Sequence, residues 1–347
     1  MRRGSDRVEL DERKKKILEI IIRTYVETGE PVGSRTVSKY KDLGISSATI
    51  RNEMADLEEM GYIIQPHTSA GRIPSDMAYR YYVDKLLNTE EADETETSVM
   101  IEREDKIDLL LKQVAKLLAD NTNYTTMVSK PRYASKKIKF IQLNKMADLQ
   151  LLVIVVLDNN HVTNKFIELM EDLDENVVAQ LNFLINAALG GLEINDINLG
   201  IMQDIKNKAG EYSDIAASVL DCIGEALRED DTSEIYTSGA TNILKYPELT
   251  DKEKMAELLT TFEEKQKLEA WVNDDSDPEE HGIQVYIGDE SPVEAMKNCS
   301  VVTATYKIRE GVYGKIGIVG PKRMNYKKVV GTLENCMQQL DEIFKSK

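Results

Sequence analysis

Cysteine, histidine and tryptophan are scarce in this chain: 347 residues hold three cysteines, three histidines and one tryptophan. Cys222, Cys299 and Cys336 lie far apart with no CxxC pair, which excludes a disulfide framework or a thiolate zinc site as the organising device. His67, His161 and His281 stand at no ligand spacing from one another or from a cysteine, so no metal is expected. Long apolar runs are missing too. The longest, Leu151 to Leu157, falls well short of the roughly 20 residues that span a bilayer. No apolar segment follows Met1-Arg2-Arg3, so neither a membrane span nor a secretory signal is expected, and the expected location is cytoplasmic.

The signature loops of nucleotide-binding enzymes are absent as well. Gly314, Gly317 and Gly320 are spaced GxxGxxG, whereas a phosphate loop needs GxxxxGK followed by Ser or Thr, and a dinucleotide site needs GxGxxG between a strand and a helix. These glycines are expected to serve close backbone packing and a turn. No nucleophile elbow links Ser, His and Asp residues. Neither an enzymatic activity nor a cofactor is expected. The acidic clusters Glu90-Glu91, Glu229-Asp230-Asp231 and Asp274-Asp275 read as solvated loops.

What is present is an asymmetry of charge. The chain carries a net −17, yet residues 1–88 hold 15 Lys and Arg against 14 Asp and Glu, while the remainder holds 29 against 47. A near-neutral head on a strongly acidic body suits a protein whose head alone approaches phosphate.

The head reads as helices. Leu10-Asp11-Glu12 is an acidic helix start, and Ile17, Leu18, Ile21, Ile22 and Tyr25 fall on one stripe of period 3.6. Thr28-Gly29-Glu30-Pro31 ends that helix. Ser34 is expected to cap a short second helix reaching Tyr40 and closed by Gly44. Ser46 or Ser47 caps a third, which carries Ile50, Met54 and Leu57 inward and stops at Gly61. Tyr62 to Gln65 then reads as a strand, His67 to Gly71 as a turn and Arg72-Ile73 as a return strand. Helix-turn-helix followed by a hairpin is the pattern of a winged helix. With Ile50, Met54 and Leu57 buried, Ala48, Thr49, Arg51, Asn52, Ala55 and Asp56 point outward or lie on the flanks; Ser47, Ala48, Thr49, Arg51, Asn52 and Ala55 are expected to face a DNA groove, where Arg and Asn can make paired hydrogen bonds to base edges. His67, Thr68, Ser69 and Arg72, in the hairpin, are expected to touch the DNA backbone or minor groove.

Beyond Asn88, the acidic segment Thr89 to Ser98 reads as a linker or helix lead-in, and Ile107, Leu110, Leu111, Val114, Leu117 and Leu118 restore a helical stripe. Three strands are expected at 138–143, 149–157 and 161–169, the last two joined as an antiparallel hairpin by Asp158-Asn159-Asn160. A helix through Val177, Val178, Leu181, Ile185 and Ala188 ends at Gly190-Gly191. Residues 192–275 look polar and mostly helical. Strands resume at 283–287, 300–308 and 313–319, and a helix runs from Tyr326 towards Phe344. Two strand groups parted by helices suggest one α+β domain with an insertion, in which strands near 138–169 pair with strands near 283–319.

Three strings, Glu30-Pro31-Val32-Gly33-Ser34-Arg35-Thr36, Ala48-Thr49-Ile50-Arg51-Asn52-Glu53-Met54-Ala55-Asp56-Leu57-Glu58 and Gln65-Pro66-His67-Thr68-Ser69-Ala70-Gly71-Arg72-Ile73-Pro74, closely resemble the HrcA family of bacterial heat-inducible transcription repressors. Gly311 to Tyr326 resembles it too, so the resemblance runs from about Leu10 to the C-terminal helix. Ala78 stands where the family is expected to have Gly. The resemblance implies a winged helix at 1–88 and a discontinuous GAF-like domain at 89–191 and 276–347. It also implies an inserted dimerisation domain at 192–275. The activity it implies is repression of chaperone operons through an inverted-repeat operator in double-stranded DNA, bound by a homodimer that the GroEL chaperonin keeps competent. The alternative is a ligand-sensing GAF-type DNA-binding regulator of another regulon.

Overall fold

The computed structural model describes residues 10–40, 43–68, 70–88, 100–102, 104, 106–133, 137–147, 149–158, 161–193, 196–229, 234–249, 251–272, 282–309 and 311–345. It is a mixed α+β chain that divides into two compact units. Unit 1 comprises residues 1–130, 235–306 and 315–347, and unit 2 comprises 131–234 and 307–314.

Unit 1 begins with helix α1 (Glu12–Thr28). Its N-cap is Asp11, whose carboxylate accepts a 2.8 Å hydrogen bond from the Lys14 backbone N–H, an interaction that holds the carboxyl below its ordinary range. Gly29, at φ 71°, closes the helix by donating to the Tyr25 carbonyl. Helix α2 (Ser34–Val37) is shorter than its sequence pattern suggests, and its N-cap is Gly33 rather than Ser34. Helix α3 (Ser47–Glu59) is capped by Ser46 and buries Ile50, Met54 and Leu57. Strands β1 (Ile63–Ile64) and β2 (Ile73–Pro74) pair antiparallel, and helix α4 (Asp76–Asn88) follows. The expected linker at 89–98 lies outside the described residues.

Helix α5 (Ile107–Thr122) leads into strand β3 (Thr125–Ser129), and the short strand β4 (Arg132–Tyr133) opens unit 2. There, β5 (Ile138–Ala147), β6 (Gln150–Leu157) and β7 (Val162–Glu168) form an antiparallel meander. Helices α6 (Glu175–Leu189), α7 (Leu199–Ala209) and α8 (Ser213–Glu229) complete the unit. Alternation along the strands sends Ile141, Leu143, Leu151, Val153 and Val155 into one core with Leu181, Ile185, Val219 and Ile223 of the helices.

The chain returns to unit 1 through β8 (Ile235–Ser238), helices α9 (Lys252–Glu263) and α10 (Glu269–Val272), and strand β9 (Ile283–Ile287). Strands β10 (Cys299–Arg309) and β11 (Val312–Pro321) and helix α11 (Tyr326–Lys345) end it. The sheet order is β8-β3-β11-β10-β9. Successive residues of β3 point to opposite faces. The Thr126 hydroxyl donates to the Ala115 carbonyl of α5, while Met127 enters a cluster with Phe262, Leu268 and Trp271. Both faces of the sheet are therefore covered, and every residue of β3 is buried.

The pairing expected from the sequence does not occur. Strands near 138–169 form a separate three-stranded sheet, and β11 pairs instead with β3, which in turn pairs with β8; the sequence pattern revealed neither β3 nor β8. Residues 192–275 are accordingly divided between the two units. Gly317 and Gly320 lie in β11 where a Cβ would come within 2.8 Å of Trp271 and 2.7 Å of Tyr124, so they serve close packing. All three cysteines are buried and free, and burial pushes the Cys299 and Cys336 thiols up to about 12. Among the described residues no cluster of His, Cys, Asp and Glu could hold a metal ion, and no helix is long and apolar enough to cross a membrane. Of the three acidic clusters, Glu90-Glu91 and Asp274-Asp275 lie outside the described residues, as does most of Glu229-Asp230-Asp231.

Candidate nucleic-acid interface

The inward positions of α3 fix what it can present. Ile50, Met54 and Leu57 repeat at the spacing of one helical face and are buried, so Ala48, Arg51, Asn52, Ala55 and Asp56 emerge on the other and are exposed. The two alanines leave the backbone of that face accessible on either side of Arg51 and Asn52. Arg51 makes no hydrogen bond or ion pair among the described residues. At the helix start, the Ser46 hydroxyl accepts from the Thr49 backbone N–H at 3.1 Å and lies 3.0 Å from the Thr49 hydroxyl. Ser47 is half-buried, with its hydroxyl 3.3 Å from that of Ser34, which ties the first turn of α3 to that of α2.

The hairpin is braced from inside. His67 and Thr68 are exposed at its tip, where the Ala70 N–H donates to the His67 carbonyl at 2.9 Å, and Gln65 Nε2 donates to the carbonyls of Thr68 and Ala70. Ser69, also a candidate, lies outside the described residues. Arg72 sits at the base instead. Its backbone exchanges two 2.8 Å hydrogen bonds with Val32, and its guanidinium grips Glu58 of α3 at 2.8 Å. Gly71 makes that approach possible, because a Cβ there would stand 2.6 Å from the Val32 backbone and 2.7 Å from that of Pro31.

The structure thus groups Ser47, Ala48, Thr49, Arg51, Asn52 and Ala55 on one helix, and sets His67 and Thr68 on an adjoining hairpin. Arg72 links hairpin to helix. Sequence reasoning passed over two residues. Arg35, exposed on α2 and unpaired among the described residues, was marked only by its place in the turn after Gly33. Lys14 had no local signal at all: it reaches from α1 to Glu53 at 2.7 Å and Asp56 at 3.0 Å, and these hydrogen bonds, the one to Glu53 foremost, raise its pKa.

Residues 108–330 match the family model described as the HrcA protein C terminal domain. A heat-inducible transcription repressor HrcA of Lachnoclostridium phytofermentans is 57% identical over 97% of this chain and 99% of its own length. The repressor of the same name from Acetivibrio thermocellus is 40% identical over 96% of each. A crystal structure described only as that of a hypothetical protein is 27% identical, with a TM-score of 0.60, covering 97% of this chain and 99% of its own. The class these findings define is a transcription repressor of α+β architecture. The chain belongs to the HrcA family of heat-inducible transcription repressors.

Proposed function

We propose that this chain represses chaperone operons by binding, as a homodimer, an inverted-repeat operator in double-stranded DNA. The observation that carries this reading is the outward face of α3, where Arg51 and Asn52 stand exposed between two alanines beside a braced hairpin. Residues 10–88 are read as a winged helix. Ser47 and Thr49 approach the backbone, Arg51, Asn52, Ala48 and Ala55 meet base edges in the major groove, and His67, Thr68 and Ser69 reach the flanking DNA. Arg72, engaged with Glu58, fixes the hairpin against the helix, and Arg35 adds a phosphate contact. Such a protein works in the cytoplasm.

The covered sheet of unit 1 is read as the GAF-like domain. Dimer formation is assigned to unit 2 rather than to the whole of 192–275. On the outer face of its meander, Val156 lies between Phe140 and Val162, and Leu152 lies beside Phe166. Phe140, Val162 and Phe166 are 42%, 53% and 57% exposed. The edges are protected where the face is not: Asn186 and Asn182 of α6 bond the backbone of Ile141 and Leu143 on β5, and β7 carries the inward Lys165, paired with Glu225 at 3.1 Å.

The chaperonin GroEL is proposed to keep the repressor competent. In unit 1, Val128 must pair with Tyr236 on one side and Ile316 on the other, closures of more than a hundred residues each. Such contacts form slowly and leave apolar strands exposed meanwhile. A ligand-sensing regulator keeps one observation in its favour: the buried Trp271 indole N–H, behind the sheet, has no partner among the described residues. Native mass spectrometry showing a retained ligand would favour it. Footprinting upstream of the source organism's chaperone operons is expected to protect two inverted half-sites, and refolding with GroEL is expected to restore that protection better than refolding alone. No protection at either half-site overturns the DNA reading; equal recovery overturns the chaperonin role.

A further inference from the structure

Helix α3 is poorly charged for a place between two phosphate backbones. It carries one cation, Arg51, against Glu53, Asp56, Glu58 and Glu59. Duplex DNA presents about one negative charge per 1.7 Å of its axis, so uncompensated carboxylates on the inserted helix would repel it. Three of the four carboxylates are met by cations from outside the helix. Lys14 Nζ lies 2.7 Å from Glu53 and 3.0 Å from Asp56, Arg13 stands 3.4 Å from Glu53, and Arg72 holds Glu58. The Lys14 and Glu53 side chains are 13% and 12% exposed, so salt screens their attraction little. Asp56, at 51%, extends to the outward face. Lys14 itself is too enclosed, behind α3, to reach phosphate.

We propose that Lys14 is a positioning residue for DNA recognition: it ties the Glu53 and Asp56 carboxylates to α1 and offsets part of their charge, so that α3 offers Arg51 and Asn52 to the duplex with less repulsion. The inference rests on the reading of α3 as the groove-entering helix. Two features support it beyond ordinary packing. A single ammonium group, which also lies 3.4 Å from Asp11 of its own helix, reaches two acids of α3, and these stand at positions 53 and 56, flanking the Arg51, Asn52 and Ala55 surface.

The test uses the full-length chain and a duplex that the native chain selects from a random-sequence library. Lys14→Met is expected to bind that duplex about tenfold more weakly at low salt, with the gap narrowing as salt is raised, because repulsion between partly exposed charges and phosphate is screened. E53Q/D56N, which keeps Lys14 and removes both carboxylates, is expected to bind more tightly than the native chain. The triple variant K14M/E53Q/D56N is expected to return to within about twofold of native binding, since the charges that Lys14 offsets are gone. A Lys14→Met loss of equal size at every salt concentration, or weaker binding by E53Q/D56N, would overturn the inference. The double variant decides the matter even if Lys14→Met fails to fold. Arg51→Ala keeps the two ideas separate: native-like binding by that variant sinks the reading of α3 itself, whereas weak binding by it beside native-like Lys14→Met sinks only the role of Lys14.

Discussion

On the outward face of α3 stand Ala48, Arg51, Asn52 and Ala55; on the outward face of β5, β6 and β7 stand Phe140, Ile154, Val162 and Phe166. Both faces meet solvent, and they are built for different company. The first is narrow and polar, with small residues framing two multidentate side chains and most nearby acids already paired. The second is broader and sets apolar side chains among the amides Gln142, Asn144 and Asn164, with its strand edges defended and its centre open. Lone exposed apolar residues are ordinary on protein surfaces, but a contiguous apolar patch marks an interface. On the proposed reading, the first face meets a polyanion with readable edges and the second an identical copy of itself.

The contrast breaks most visibly if the sheet face is charged. F140D/F166D is expected to turn the proposed dimer into monomers by sedimentation velocity. Operator affinity should fall with it by about a hundredfold or more, since two half-site contacts are no longer joined. A dimer that survives both substitutions would remove the sheet face from the interface. The head is more sharply probed at Gly71, where Ala would force a Cβ to within 2.6 Å of the Val32 backbone. Overpacking of that kind should lower the stability of the head by about 1–3 kcal/mol, seen as earlier thermal melting, while dimerisation is unchanged. Smaller still is Ser46→Ala, which deletes the cap of α3 and should cost about 1 kcal/mol. Melting of the head at its native temperature in either variant would show that the outward surface of α3 does not depend on these supports.

The two regions were not equally legible in the sequence. The cap of α3 could be narrowed to Ser46 or Ser47, and its inward stripe, the hairpin and the strands of unit 2 could be read because each alternates between core and solvent at its own period. Strand β3 could not. Its five residues are all buried, so no alternation marks them, and three of the five are Thr or Ser whose polar atoms are satisfied by distant partners. Thr125 donates to the Gly239 carbonyl, and the Ser129 carbonyl accepts from Tyr306. With β3 unseen, the strands at 138–169 were the nearest partners to assign to 283–319. The candidate interface divides the same way. Arg51 and Asn52 follow from helical phase alone, but Arg72 and Glu58, fourteen residues apart, meet only when the hairpin folds back, and Lys14 reaches its acids across some forty residues of chain.

Base-resolved binding by Arg51→Ala and Asn52→Ala tests the central claim most directly. Each is to be titrated, at one fixed salt concentration, against the selected operator and its single-base-pair variants. Each substitution is expected to cost about 1–3 kcal/mol on the selected operator and to erase the preference at one position in each half-site, leaving the other positions discriminated as before. A uniform loss across every duplex, with all preferences intact, would contradict base reading by α3 and make both side chains phosphate contacts.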